Sequence, residues 1–405
     1  MSTVRAKPDV MIWIHRYVGI FLGLWLFSIG ASGAILAYYR EIDTFLNPQF
    51  FAVQNAPQHP DLDGMLERVH AQQPDRFVLY IERYALKRDE AYIFTLTMRL
   101  PVTNQGLDLS TIGNYDDALD WQVFVDPAKV QIIGERSYWT FINFLRDFHR
   151  ELFAPPTGRK VMGIVAACLF ISAMFGVVLW WRDAKRHLKR ALSFRASAAM
   201  PRMIHDGHTV LGFYASLFIG WLSLSALMLC YEGALREFAD WVLRGGIPAQ
   251  NFEATVLDQK PRAASDRIVP LNQARDMALS DHPNSDVVLI RMPKSPVGKI
   301  SFRLYPTDED LTLYTRQVYI DAGTGEIAGR FDPKRQPWTD SLFGLWLIWF
   351  HNGTMLGDVG RVFNIFAGIV LASLFPTGIY IWWKKRRARI PRKVLPPTLQ
   401  VRESL

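Results

Sequence analysis

Phe350-His351, followed by an apolar run that closes on Trp382-Trp383-Lys384-Lys385-Arg386-Arg387, decides how this 405-residue chain is read, because the same arrangement occurs earlier in it. A shift of 202 residues lays Phe148-His149 on Phe350-His351, Gly158-Arg159 on Gly360-Arg361, Gly176 on Gly378 and Trp180-Trp181 on Trp382-Trp383, with no gap. So many matches at one offset indicate an internal duplication. A second shift, of 193 residues, lays His15 on His208, Gly19 on Gly212 and Tyr38 on Tyr231. The chain therefore reads as two halves, each a membrane span, an outer segment and a second span.

The class follows from how the apolar residues bunch. Crossing a hydrocarbon core takes about 20 residues of helix, and residues 11–38, 160–181, 207–231 and 361–383 are long enough. Lys and Arg in short loops set the orientation. Arg182, Lys185, Arg186, Lys189, Arg190, Arg195 and Arg202 link the second and third spans, and Lys384, Lys385, Arg386, Arg387, Arg389, Arg392 and Lys393 fill the tail. Both stretches, and the N-terminus with Arg5, Lys7 and Arg16, are expected in the cytoplasm. The two long loops, about 40–145 and 232–345, are then outside, and the lipid bilayer is the first partner. The formal charge of +8 is a topology signal, so nucleic acid is not expected as a partner. The first span exceeds a usual signal h-region and reads as an uncleaved anchor. Cys168 and Cys230 both fall inside spans, which leaves no disulfide framework and no C-x-x-C-H haem attachment.

Each outer segment carries the same pattern. Leu62 to Ala71 reads as a helix, then Phe77 to Arg83, Ala91 to Met98 and Trp121 to Val125 as strands, ending in a turn at Asp126-Pro127. The second copy has a helix at Leu271 to Leu279, strands at Asp286 to Arg291, Lys299 to Leu304 and Gln317 to Ile320, and a turn at Asp321-Ala322-Gly323-Thr324-Gly325. Gly323-Thr324-Gly325-Glu326-Ile327-Ala328 fits a dinucleotide pattern, but no helix is expected after it, so it reads as a tight turn. Asn47 to Pro60 and Gly245 to Pro270 read as irregular connections. Aromatic amphipathic pieces, Tyr138 to Leu152 and Trp338 to Phe350, are expected to lie at the outer leaflet and deliver a histidine to its edge. The organisation is a four-span helical bundle with two small outer α+β domains. Its parts are a first transmembrane helix in 1–39, an outer domain in 40–137, an interfacial helix and second span in 138–182, and a basic loop in 183–204. They continue with a third span in 205–232, a second outer domain in 233–337, an interfacial helix and fourth span in 338–384, and a basic tail in 385–405.

Five histidines fall into two layers. His15, His205 and His208 belong to the cytoplasmic ends of the first and third spans, and His149 and His351 to the outer ends of the second and fourth. An iron macrocycle held on both faces needs two imidazoles from separate elements, a geometry that helix bundles supply. Pairing His15 with His208 and His149 with His351 gives two such haem sites. Gly19 and Gly212 are expected to clear room for the ring. His205 shares a face with His208 and is the alternative ligand or a propionate contact. Arg16, Arg146, Arg150, Arg159 and Arg361 are candidates to pair with haem propionates. A zinc site is disfavoured, because no close cluster of Cys, His and carboxylate appears. The Trp180-Trp181 and Trp382-Trp383 pairs read as members of the aromatic belt.

His15-x-x-x-Gly19, the turn Val125-Asp126-Pro127 leading to Gly134, then Phe144-Leu145-Arg146-Asp147-Phe148-His149-Arg150-Glu151-Leu152 and a span ending Trp180-Trp181 resemble the PepSY-associated transmembrane helix proteins. The resemblance covers nearly the whole chain and implies a bacterial inner-membrane protein with two periplasmic PepSY-like domains. It also implies two haem b groups, a cytoplasmic or membrane electron donor, and a ferric siderophore as the acceptor whose reduction releases ferrous iron. Two other readings of the same family are a non-enzymatic binding or regulatory membrane protein, and an electron conduit to another periplasmic acceptor. The second half departs from the first in lacking the proline after Asp321 and in having Asn352-Gly353 after its histidine.

Overall fold

The computed structural model describes residues 9–84, 90–98, 119–195, 197–244, 268–293, 298–307, 315–335 and 338–388. Arg5, Lys7, Arg389, Arg392, Lys393 and most of the connection Gly245 to Pro270 lie outside them. Helices α1 (Val10–Phe21), α2 (Gly23–Leu36) and α3 (Tyr39–Leu46) open the chain, and α4 (Leu62–Gln72) precedes four strands. Helices α5 (Phe141–Glu151), α6 (Thr157–Ala184), α7 (Leu188–Ala191), α8 (Met200–Cys230) and α9 (Glu232–Arg244) follow. After α10 (Leu271–Ser280) come four more strands, and then α11 (Trp338–Ser341), α12 (Leu347–Asn352) and α13 (Gly357–Ala388).

Among the described residues three helices are long and apolar enough to cross a membrane, α6, α8 and the helix that ends at Ala388. The first span differs from the straight helix expected over 11–38: α1 and α2 meet at Leu22 with a bend of 68°, and together they make a fourth span if both halves cross as one. Gly23 follows the break, where an added Cβ would run into the Phe375 ring, so a small residue and a helix interruption coincide. Contacts divide the chain into two compact units, one of Met1–Ala31, Cys168–Trp221 and Phe366–Leu405, the other of Ser32–Ala167 and Leu222–Ile365.

The first unit holds its helices together by close approach. A Cβ at Gly30 would lie 2.8 Å from the Gly368 carbonyl oxygen, so the absent side chain is what lets the backbones meet. Asp9 caps α1, accepting from the Met11 amide at 3.1 Å, and also receives a bond from Arg182. Trp180 stacks on Phe213 at 3.6 Å between centroids, whereas Trp181 is exposed, as a belt residue would be.

The second unit is built on one eight-stranded antiparallel sheet with the order β4-β3-β2-β1-β5-β6-β7-β8. Strands β1 (Arg76–Glu82), β2 (Tyr92–Met98), β3 (Leu119–Asp126) and β4 (Gln131–Ser137) form one meander, and β5 (Ser285–Arg291), β6 (Lys299–Pro306), β7 (Arg316–Asp321) and β8 (Ile327–Phe331) the other. The two segments read as separate domains share this sheet, joined where Tyr80, Ile81 and Glu82 pair with Arg291, Ile290 and Leu289. They share a core as well: Leu62, Met65, Phe94 and Val123 of one half pack in one cluster with Leu271, Ala278, Phe302 and Val318 of the other. Period-2 alternation sends Ile93 and Phe124 to the opposite face, where Phe51 and Tyr84 cover them. Helices α4 and α10 cap one another. The Leu62 amide donates to Asn272 Oδ1 at 2.8 Å, and the Leu271 amide to Asp63 Oδ1 at 2.6 Å, which satisfies helix N-termini that would otherwise lack partners. Asp126 and Asp321 each accept from the amides two and three residues on, so the second turn keeps its form without the proline. The strand β8 follows Gly323 to Gly325, as a turn requires.

Candidate functional site

Each unit contains one of the expected histidine pairs. In the first, the rings of His15 on α1 and His208 on α8 lie 6.4 Å apart between centroids at an interplanar angle of 76°. In the second, His149 on α5 and His351 on α12 are again 6.4 Å apart, at 51°. The segment carrying His351 contains a π-helical turn, Leu342–Trp346, absent from its counterpart α5; such turns re-aim side chains and are frequent at functional sites. Both histidine-bearing pieces end against the start of the following span. A Cβ at Gly158 would strike the Glu151 backbone, and one at Gly360 would strike the Gly353 backbone, so glycine is what permits each tight corner. Gly353 itself has φ of +80°, in the left-handed region that a side chain disfavours.

The hydrogen bonds fix which ring nitrogen is free. His15 Nδ1 lies 3.0 Å from the Ser172 carbonyl oxygen, which only accepts, so Nδ1 carries the proton. His208 Nδ1 lies 2.9 Å from Thr377 Oγ1, whose own hydrogen is directed to the Ser373 carbonyl at 2.8 Å. His351 Nδ1 lies 2.9 Å from Ser225 Oγ, which donates to the Leu222 carbonyl at 3.1 Å. In both cases the hydroxyl accepts from the ring. His149 Nδ1 has Ser32 Oγ at 3.0 Å. With Nδ1–H bound outward in three of the four rings, Nε2 keeps its lone pair, the arrangement that an imidazole ligand takes. The partners follow the same offsets as the histidines: Ser32 and Ser225 are 193 residues apart, and Ser172 and Leu374, whose backbone also bonds His208, are 202 apart.

Three glycines lie against the rings, and neither of the two expected is among them. A Cβ at Gly176 would lie 3.2 Å from His15 Cε1, at Gly378 3.3 Å from His208 Cε1, and at Gly33 2.9 Å from His149 Cε1. Around Gly19 there is open space, and Gly212 faces Leu374. His205 does not join the pair. Its side chain is half exposed and its Nδ1 sits 3.8 Å from Asp206, so His208 is the residue brought to His15.

The five arginines divide. Arg16, beside His15, is half-buried and pairs with no described residue. Arg159 bonds the buried Glu151 at 2.8 Å, and Arg361 bonds Glu41 at 2.6 Å, Asp358 at 3.2 Å and the Ala37 carbonyl at 2.8 Å while lying over the Tyr38 ring. Arg146 donates to the Tyr138 phenol, and Arg150 is exposed with interactions of its own. Sequence reasoning missed Ser32, Ser172, Ser225 and Thr377. The signal was present, because Ser32 and Ser225 align at the shift that aligns His15 with His208.

The residues present fit a haem on each pair. A metal between two Nε2 atoms at ~2 Å each, with each ring centre ~1.1 Å behind its nitrogen, would set the centroids ~6.2 Å apart, close to the 6.4 Å found in each pair. Among the described residues no group of three His, Cys, Asp or Glu side chains gathers to hold a lone metal ion. The family model of the PepSY-associated TM region matches the chain twice, over residues 12–278 and 247–403. No protein of curated function matches it.

Proposed function

The chain belongs to the PepSY-associated TM region family, and from that premise we propose that it is a bacterial inner-membrane oxidoreductase with two b-type haems. One haem is held by His15 and His208, the other by His149 and His351. Electrons pass from a cytoplasmic or membrane donor to a periplasmic ferric chelate of the siderophore type, and ferrous iron is released. In this reading the bundle has four spans, arose by duplication and keeps both termini in the cytoplasm. The observation that carries it is the matched geometry of the two pairs: equal centroid spacing of 6.4 Å, with Nδ1 held by a hydroxyl or carbonyl.

Haem supplies one-electron chemistry when bound, and the protein's part is to hold it and set its environment. His15 and His208 would hold one haem iron, and His149 and His351 the other. Ser172, Thr377 and Ser225 fix the tautomer of His15, His208 and His351, Ser32 holds the His149 ring at its Nδ1, and a bonded Nδ1–H makes Nε2 the stronger donor. Arg16, which pairs with no described residue, is a candidate to meet a propionate. Transfer to ferric iron in hard oxygen donors weakens their hold, because the divalent ion attracts them less.

Purified full-length protein should carry about two haems per chain with a paired-imidazole spectrum. His149→Ala and His351→Ala should each remove one haem and leave the other, and His15→Ala should remove the opposite one. A wild-type protein with no stoichiometric haem would leave the non-enzymatic binding reading in its place. Reduced protein mixed with a ferric chelate should reoxidise as ferrous iron appears.

A further inference from the structure

Arg40 lies in α3, seven residues beyond Gly33, which faces the His149 ring. Its side chain is exposed but not free to swing. Nε donates to the Tyr39 phenol oxygen at 2.8 Å and Nη1 to the Tyr84 carbonyl at 2.5 Å. Both acceptors are neutral. Among the described residues no carboxylate lies within ion-pair distance of Arg40, and its Nη2 has no partner. An arginine serving only as an interface anchor would turn to the lipid headgroups. This one is turned to the end of β1, where Tyr84 is buried with Phe51 and Ile93.

A second guanidinium belongs to the same neighbourhood. Arg146, three residues before His149, donates to the Tyr138 phenol; its Nε is buried with no hydrogen-bond partner among the described residues, and Asp147 is 3.9 Å away. Tyr39, Tyr84 and Glu82 are within electrostatic reach of both arginines. The result is two fixed cations among phenols on the unit that holds His149 and His351, with Glu82 as the acidic group near both. A guanidinium held in place loses little freedom on binding, and its planar fork matches oxyanions in two-point contact.

We propose that Arg40, oriented by Tyr39 and Tyr84 and seconded by Arg146, recognises the oxyanion groups of a negatively charged metal chelate, so that the protein selects anionic acceptors over neutral or cationic ones. The proposal deepens the electron-transfer reading and rests on it for its purpose, but it is tested by binding alone. Full-length protein is titrated with gallium(III) citrate, a redox-inert anionic probe, and with a gallium trihydroxamate, which is not anionic, and followed by tryptophan fluorescence. Wild type binds the citrate more tightly. Arg40→Gln weakens citrate about tenfold or more and leaves the trihydroxamate unchanged, the difference shrinks with salt, and Arg40→Lys, which keeps charge but loses the fork, falls between. Equal wild-type affinity for both probes overturns the proposal, as does an Arg40→Gln protein that binds citrate normally. Should that variant fail to fold, an Arg40→Lys protein that binds citrate like wild type overturns it instead. A chain without haem that still binds citrate through Arg40 sinks only the electron-transfer reading. A haem-loaded chain indifferent to Arg40→Gln sinks only this one.

Discussion

Replacing Ser225 by alanine removes one oxygen from a fully buried position, and the structure says what that oxygen does. It sits 2.9 Å from His351 Nδ1, and its hydrogen is already directed to the Leu222 carbonyl, so its function toward the ring is to accept. Without it the Nδ1–H is left to the Leu222 backbone alone. Losing a buried acceptor costs about 1–3 kcal/mol, and loss of an outer partner of a metal-bound histidine typically lowers affinity about 10–100-fold, or ~1.4–2.8 kcal/mol. Ser225→Ala should therefore release the haem of the His149–His351 pair about 10–100-fold more readily to an apo-globin scavenger. The remaining fraction should titrate at a higher midpoint potential, because a less electron-rich imidazole stabilises the ferric state less. Thr377→Val removes the matching acceptor from His208 and should change only the other haem. Two Ser225→Ala haems with wild-type retention and potential, or equal changes in both, would refute the assignment of Nδ1 as donor and Nε2 as ligand.

Three further outcomes concern the backbone corner at Gly353, the buried Asp43 and the cap at Asp61. Gly360→Ala forces a Cβ onto the Gly353 backbone and should lower stability by about 1–3 kcal/mol while loosening the haem on His351, read by melting and haem content together. Arg136→Ala strands Asp43, whose side chain is 2% exposed and bonded at both oxygens, at 2.8 and 2.7 Å; a loss of about 3–5 kcal/mol should appear as a lower melting temperature with both haem spectra intact. The Asp61 carboxyl is held below its ordinary range, first by the Gly64 amide and then by Asn272. Its contribution is therefore present above the unfolded value of about 3.9, is lost as pH falls below it, and should vanish in Asp61→Asn, flattening the acid limb of a stability profile.

The two histidine pairs were legible because histidine and tryptophan are scarce and recur at fixed offsets, and both pairs are brought together. The long helices were legible from length and apolarity. The break at Leu22 was not: the 68° bend coincides with Gly23 lying against the Phe375 ring, a contact far away in sequence. β4 and β8 escaped notice because Gln131 to Ser137 and Ile327 to Phe331 carry glycine and charge where alternation is sought. The joining of β1 to β5 is a pairing between distant edges, which local periodicity does not encode. The hydroxyl acceptors were hidden because serine and threonine in a span usually bond their own helix, as Ser225 and Thr377 do while also serving a ring.

That β1–β5 seam has a consequence for how the chain can be divided. Cut in the loop between its halves, neither fragment could finish its own sheet: each would offer a naked strand and a half-filled hydrophobic layer to the solvent. Co-expressed, the fragments should seek one another out and zip along Tyr80 to Glu82 and Leu289 to Arg291, reuniting as partners what the chain now holds as one.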